Sequence, residues 1–423
     1  MGMRRSTPLR IGAAAIAAVA VAEAAVWLLR PRVDVPEPAE VEESAYFSAD
    51  ELERAEDYRG GQRALLIGAI AVEGGILLLL ALGRPRFARR GLEALGRRPL
   101  LGGAAAGAVV SLSLAVAALP VSLAAHERAV DVGLSTQGFG AWVADQGRAA
   151  AISVGLAAAG GAVLFALVRR FGDRWWIPGA VVASAYAVLF VGLAPILLEP
   201  IFNDFDRLPN GRARAEVLEL GERAGVDIGE VFRVDASRRS TALNAYVSGL
   251  GPTKRVVIYD TLLESVDRAP LRSVVAHELA HVEQRDLWRG LAFVAIVALP
   301  ATLFASLLAG ALIRQTGINP RSPAALPAYA LAIAVTTLAM GAIGNQLSRK
   351  VEAAADARAL ELTDDPLGLV ELQRRLAKRN ISDPSPPGWY EALFATHPPT
   401  IERIGIALGY ERRAGPAALN QAE

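Results

Sequence analysis

The chain has no cysteine in 423 residues, which excludes thiolate nucleophiles, disulfide frameworks and cysteine-built metal sites in one step. Histidine is nearly as scarce. His126, His277, His281 and His397 are the whole supply, so any imidazole chemistry must be drawn from those positions. An excess of charge of either sign is missing as well. With 44 basic against 43 acidic residues the formal net charge is +1, and no overall electrostatic footprint for nucleic acid is present.

What the chain has in abundance is apolar sequence. Hydrophobic residues are 53% of the total, more than a soluble domain needs, and a membrane is the natural explanation. A bilayer core about 30 Å thick takes about 20 mostly apolar residues per helix. Seven stretches meet or approach that length, at residues 11–29, 64–82, 101–124, 149–168, 176–198, 288–313 and 323–344. Arg10 and Arg30, Arg63 and Arg84, Arg169 and Arg170, Arg314, and Arg349 with Lys350 mark their ends, as expected at the headgroups. The chain then divides into a membrane region of five spans (1–198), a polar block (199–286), two further spans (287–344) and a second polar block (345–423). The two polar blocks are expected to join as one soluble catalytic domain.

The first stretch follows Arg4, Arg5 and Arg10 and is rich in alanine, so a cleaved signal peptide is the alternative to a first span. Glu73 lies mid-span and should face the bundle interior or a water-filled space, the alternative being a protonated or helix-paired carboxyl without a chemical role. Residues 31–63 carry Glu37, Glu40, Glu42, Glu43, Asp50, Glu51 and Glu53 and read as a solvated surface segment, helical near Asp50 to Arg63.

In the first polar block, residues 212–224 have helical periodicity, and Val231 to Val234 and Arg255 to Tyr259 read as short strands. Asn244 to Val247 is a further strand candidate, paired through the chain break at Gly249, Gly251 and Pro252. Residues 269–285 return to helix. They contain His277-Glu278-Leu279-Ala280-His281, in which two imidazoles four residues apart share one helical face and grip a single ion while Glu278 projects beside it.

A catalytic zinc takes three protein ligands and keeps one position for water. Two spans separate the motif from the segment after residue 344, which therefore returns to the same membrane face. There Glu352 is the candidate third ligand, with Asp356 one turn later placed to accept a ring N–H of a ligating histidine. Spacing alone leaves an ordinary solvated helix of mixed charge as the alternative.

These residues resemble the type I CAAX prenyl endopeptidases and, more distantly, the bacterial heat-shock membrane metalloproteases of the same zinc-peptidase clan. The resemblance covers most of the chain. It rests on the seven-span layout and on four motifs: Asn244-Ala245-Tyr246 with Lys254-Arg255-Val256-Val257 and Tyr259-Asp260-Thr261-Leu262-Leu263, the His-Glu-x-x-His helix, Glu352 to Asp356, and His397-Pro398-Pro399 followed by Glu402-Arg403. It implies a mainly α fold, a bundle of seven transmembrane helices enclosing a chamber, with a gluzincin-type protease domain carrying a small β-sheet. It implies Glu352 as third ligand to one Zn2+ per chain, and Asn244, Ala245 and Tyr246 in an edge strand that pairs with an extended substrate. It further implies His397 near the metal as a donor to the oxygen of the tetrahedral intermediate, and Arg403 at the substrate or paired with an active-site carboxylate. Turn and core roles for Asn244 and Tyr246, and a capping role for His397, are the alternatives. His126 matches nothing and is assigned no role.

The activity expected is hydrolysis of peptide bonds by a membrane-embedded zinc endopeptidase. Glu278 takes the proton of a water activated by zinc, which lowers the water's pKa to about 7. The substrate is a peptide or protein, and two classes stay open: C-terminal processing of prenylated proteins and quality control of membrane proteins. A transporter-like or receptor-like protein with a structural zinc site is the rival from another class. Structural zinc uses four closed ligands and needs no adjacent glutamate. An intramembrane protease is a rival from within the class, but Arg272, Glu283, Arg285 and Asp286 surround the motif, which places the site at the membrane surface.

Sidedness divides the arguments. Arg4, Arg5 and Arg10, then Arg84, Arg86, Arg89, Arg90, Arg97 and Arg98, then Arg169, Arg170 and Arg174 fall on one face if all seven spans cross. The positive-inside rule makes that face of the cell membrane cytoplasmic and puts the zinc domain outside. The resemblance implies a catalytic domain facing the cytosol.

Overall fold

The computed structural model describes residues 6–83, 86–94, 99–249 and 254–418. Arg4, Arg5, Arg84, Arg97, Arg98, Gly251 and Pro252 lie outside the described residues.

In chain order the elements are α1 (Ser6–Leu29), α2 (Ala49–Ala81), α3 (Arg86–Ala94), α4 (Pro99–Asp131), α5 (Phe139–Phe171), α6 (Trp176–Leu197), α7 (Glu199–Phe202), β1 (Phe205–Arg207), α8 (Arg212–Arg223), β2 (Glu230–Val234), β3 (Ala245–Ser248) and β4 (Arg255–Tyr259). Then follow α9 (Asp260–Ser265), α10 (Arg268–Glu283), α11 (Asp286–Thr316), α12 (Leu326–Thr363), α13 (Pro366–Arg379), α14 (Gly388–Phe394) and α15 (Thr400–Ala418). Among the described residues seven helices, α1, α2, α4, α5, α6, α11 and α12, are long and apolar enough to cross a membrane. The protein is a multi-pass membrane protein.

These spans surround space. None of the most apolar window of α6 is buried and only 6% of that of α4, against 44% for α12. A solid seven-helix bundle buries one face of every helix, whereas a ring enclosing a chamber leaves both faces open. Where α4 meets α5 the backbones touch, because a Cβ on Gly107 would stand 2.1 Å from the Ala157 carbonyl oxygen. Such close approach of small residues drives helix association where lipid removes the hydrophobic incentive. The side chain of Glu73 is exposed and buried in no helix interface.

The first stretch is a packed member of the bundle. Ala18, Ala22, Ala25 and Val26 of α1 are buried against Val297, Met340, Ile343 and Leu347, and Gln346 donates to Glu23 at 3.0 Å. This packing supports a first span over a cleaved signal.

Two helices outlast the membrane. The 33 residues of α2 and the 38 of α12 give lengths of about 50 and 57 Å at about 1.5 Å per residue, well beyond a bilayer core. Helix α2 starts outside on a reciprocal cap, Ser48 accepting from the Glu51 N–H and Glu51 from the Ser48 N–H. Helix α12 runs without interruption from the span to Glu352 and Asp356, so a rigid rod sets their depth relative to the membrane.

The four-stranded sheet has the order β1-β2-β4-β3. Strands β2 and β4 are parallel, with Val231 opposite Val256, and β3 is antiparallel to β4, with Tyr246 opposite Val257. Strand β3 is therefore an edge. The soluble core gathers Leu220, Val231, Leu243, Ile258, Leu262, Leu279, Leu360, Leu369, Leu372 and Ile404 from the sheet and α8, α9, α10, α12, α13 and α15.

The acidic segment after α1 departs from its expected reading as solvated surface. Phe47 is buried in this core, with Val35, Val41 and Tyr46 packed against it, and the Ala39 N–H donates to the Gly405 carbonyl at 2.9 Å. The apolar residues between the glutamates make it a strap across α15.

Candidate active site

The site is built where α10 and α12 cross beneath β3. Helix α10 carries His277 and His281 on one face, and α12 brings Glu352 and Asp356. A left-handed Arg285 (φ 58°) then turns the chain from α10 into α11. That break swings Asp286, the first residue of α11, back onto the motif.

Each imidazole is fixed by a carboxylate. His277 Nδ1 lies 2.9 Å from Asp356 Oδ1, and His281 Nδ1 lies 2.9 Å from Asp286 Oδ2. A carboxylate at Nδ1 holds the proton there, so both Nε2 atoms present lone pairs. Those lone pairs meet. His277 Nε2 and His281 Nε2 are 3.2 Å apart, Glu352 Oε2 is 3.2 Å from His277 Nε2, and Glu352 Oε1 is 3.6 Å from His281 Nε2. Glu352 is only 8% exposed, and its Oε2 is buried without a hydrogen-bond partner. Acceptors facing one another in a buried place repel unless a cation joins them. The donor set fits a metal ion, and all the ligand atoms lie within 4.8 Å of one another.

Electrostatics agree with that reading. Burial disfavours a charged His277, but Asp356 and Glu352 outweigh it and push its pKa up to about 10. The site attracts positive charge strongly. Burial raises the pKa of Glu278 above the ordinary carboxylate range, with Glu352 adding to the rise, while His277, His281 and the Val247 N–H oppose it.

A cleft of about 780 Å³ opens over the cluster, lined by Asn244, Ala245, Tyr246 and Val247 as well as by Glu278, Trp288 and His397. The Asn244 carbonyl accepts from the Tyr259 N–H at 3.1 Å, which makes Asn244 and Tyr259 a hydrogen-bonded pair in the ladder. By antiparallel alternation the N–H and C=O groups of Ala245 and Val247 then face away from β4. The Val247 N–H favours the ionised form of Glu278. Tyr246 lines the cleft, but its hydroxyl donates to Glu199 at 3.0 Å, tying the strand to the first residue of α7.

His397 stands across the cluster, its Nε2 3.4 Å from Glu352 Oε2 and its Nδ1 2.9 Å from the Thr396 hydroxyl. With 58% of its side chain exposed, it faces the cleft. Partial desolvation at the cleft wall lowers its pKa, against the pull of Glu352.

Arg403 departs from the expectation that it contacts substrate. It is absent from the cleft lining and lies behind the site, its Nε and Nη2 donating to Asp356 at 2.7 and 2.6 Å. That bidentate pair fixes the carboxylate that orients His277. The pairing with an active-site carboxylate, its other expected role, is what the geometry contains. Asp286 is the residue that sequence reasoning passed over, because five residues after His281 it shares no helical face with the motif. His126 stacks on Trp142 with ring centroids 5.2 Å apart, outside the cluster.

A helical ring in the membrane with a His-Glu-x-x-His cluster and third carboxylate at one end defines a membrane metalloendopeptidase. The family model described as peptidase family M48 matches residues 207–410, and that described as CAAX prenyl protease N-terminal, five membrane helices, matches residues 32–204. Together the two models span residues 32–410, so over most of its length the chain resembles the membrane metalloproteases of peptidase family M48. It is 29% identical over 301 residues to the uncharacterized metalloprotease YhfN of Bacillus subtilis (strain 168), an alignment covering 70% of this chain and 71% of that protein. To a CAAX prenyl protease 1 homolog of Oryza sativa subsp. japonica it is 29% identical over 232 residues, 52% of each chain, about half that relative's length. The crystal structure of S. mikatae Ste24p has the same fold, with a TM-score of 0.77 at 18% identity over 95% of this chain and 99% of that one.

Proposed function

We propose that the protein is a zinc endopeptidase in which His277, His281 and Glu352 hold one Zn2+ and Glu278 is the general base. The convergence of three ligand atoms on one point carries the reading. Two ligands about 2.0–2.1 Å from zinc at the tetrahedral angle are about 3.3 Å apart, and the separations here are 3.2, 3.2 and 3.6 Å. When bound, the metal supplies a Lewis acid that polarises the scissile carbonyl and acidifies water.

The chain's own residues do the rest. Asp356, clamped by Arg403, and Asp286 keep the two imidazoles in the ligating tautomer. Glu278 takes the proton of the attacking water and delivers it to the leaving amine, and its raised pKa suits both tasks. His397 donates to the oxygen that gains charge as the carbonyl carbon becomes tetrahedral. The free edge of β3 receives the substrate as an added strand, Ala245 and Val247 supplying main-chain partners and Asn244 and Tyr246 flanking them.

The substrate is a membrane-associated peptide or protein, with a prenylated C-terminus one form of it and membrane proteins under quality control the other. Arg86, Arg89 and Arg90 on α3 and Arg169, Arg170 and Arg174 at and after the end of α5 lie between spans remote in the chain from the zinc domain, and the positive-inside rule makes their face of the cell membrane cytoplasmic. We place the zinc domain outside the cytoplasm on that charge bias. A cytoplasm-only reporter fused to the C-terminus tests the placement, and an active reporter would reverse it in favour of a cytosolic site.

The proteolytic reading is tested by protein purified in lipid with an unstructured reporter peptide. Cleavage abolished by a chelator and restored by zinc is the expected result. Stoichiometric zinc without cleavage of a broad peptide library would favour the structural-metal reading.

A further inference from the structure

Strand β3 is entered through a segment gripped from both sides. Leu243, immediately before Asn244, is 1% exposed, and both of its backbone groups are met by one side chain. Asn380 Oδ1 accepts from the Leu243 N–H at 2.8 Å, and Asn380 Nδ2 donates to the Leu243 carbonyl at 3.1 Å. A carboxamide that accepts and donates in this way extends the strand by one residue's worth of ladder.

The carboxamide is itself held under strain. Asn380 closes α13, and Ile381 after it has a φ of 48°, a left-handed conformation that β-branched residues rarely adopt. Ile381 is kept there by burial against Ala55 and Tyr58 of α2. Arg59 of α2 secures it further, donating to the Ile381 carbonyl at 2.7 Å and to the Asn380 carbonyl. On the other side the loop between α4 and α5 pairs with the same approach, the Thr241 N–H donating to the Leu134 carbonyl at 3.0 Å and the Thr136 N–H to the Arg239 carbonyl at 3.1 Å. Strain of this kind persists only where the surroundings over-determine it. Here they do so at the point that aims Asn380 at Leu243.

We propose that Asn380 is a positioning residue for substrate, holding β3 at the height where its free edge aligns a peptide with the metal cluster, and that Arg59 anchors it to the extramembrane end of α2. This rests on β3 being the strand that receives substrate.

The test uses full-length, zinc-loaded protein in lipid and a long unstructured peptide, with kcat and KM measured for Asn380→Ala and Asn380→Asp. Loss of the two bonds to a buried backbone should raise KM about tenfold, with kcat within about twofold and zinc content unchanged. Asn380→Asp adds a signature that a merely structural role would not give. Ionised, its carboxylate faces the Leu243 carbonyl and repels it, whereas the protonated acid restores one donor and one acceptor. The ratio of its KM to the parent's should fall towards one as pH is lowered, and this holds the test if Asn380→Ala fails to fold. An unchanged KM in Asn380→Asp, a ratio independent of pH, or a loss confined to kcat would overturn the proposal. A peptide N-methylated at the positions that pair with β3 separates the two claims. If the parent cleaves it as well as the unmodified peptide, the reading of β3 is wrong; if the parent discriminates and Asn380→Asp keeps the parental KM, the role of Asn380 is wrong.

Discussion

Replacing Asp286 by Asn should weaken metal binding while leaving the fold intact. The carboxylate accepts from His281 Nδ1 at 2.9 Å and pairs through its other oxygen with Arg289. An amide has one acceptor to offer two donors. If its oxygen stays on Arg289, its NH2 faces Nδ1 and drives the ring proton to Nε2, the atom aimed at the metal. Loss of such a supporting partner costs about 10- to 100-fold in metal affinity, or about 1.4–2.8 kcal/mol. Arg289 keeps 20% of its side chain exposed, so its charge retains access to solvent and stability should change little. Competition with a chromogenic chelator measures the affinity, and thermal unfolding of the apo form measures the fold. An affinity within twofold of the parent would refute the inference that Asp286 sets the His281 tautomer.

Asp356→Asn should behave differently, because Asp356 is 0% exposed and its loss strands the buried Arg403 guanidinium. Breaking a buried pair costs about 3–5 kcal/mol, visible as a lowered Tm before any assay of activity. His397→Ala should lower kcat about 10²- to 10³-fold with zinc retained, read by single-turnover cleavage and metal analysis; loss of zinc instead would make His397 a ligand. Glu216 gives a pH dependence. Its burial opposes ionisation, but Arg268 and Arg272 outweigh it and hold its pKa below the ordinary 4.5. Its contribution to stability is therefore present above 4.5 and lost as pH falls through the depressed value. Thermal unfolding of the parent and Glu216→Gln across acid pH should give curves that converge on acidification.

Much of this was readable in the chain. The apolar runs gave the spans because length and hydropathy suffice for helices in lipid. The His-Glu-x-x-His motif is local, and counting membrane crossings pointed to the segment carrying Glu352. What escaped reading depends on contacts rather than periodicity. Strand β1 is three residues long, too short for an alternation to register. Val35, Val41 and Phe47 are hidden among glutamates, so the strap reads as solvated although it packs on α15. Asp286 reaches His281 only through the left-handed turn at Arg285, and Asn380 only through the strained Ile381. Both depend on a single backbone torsion that no residue spacing encodes. Arg403 was legible as a partner for an active-site carboxylate, while its depth behind the site followed only from the crossing of α12 and α15.

In the proposed mechanism Glu278 moves the proton at a zinc held by His277, His281 and Glu352. Glu278→Gln, compared with the parent in lipid on the same reporter peptide, tests it directly. Stoichiometric zinc in both proteins, chelator-sensitive cleavage by the parent and loss of cleavage in the variant at every pH are expected. Cleavage by the variant at the parental rate with zinc bound would contradict it.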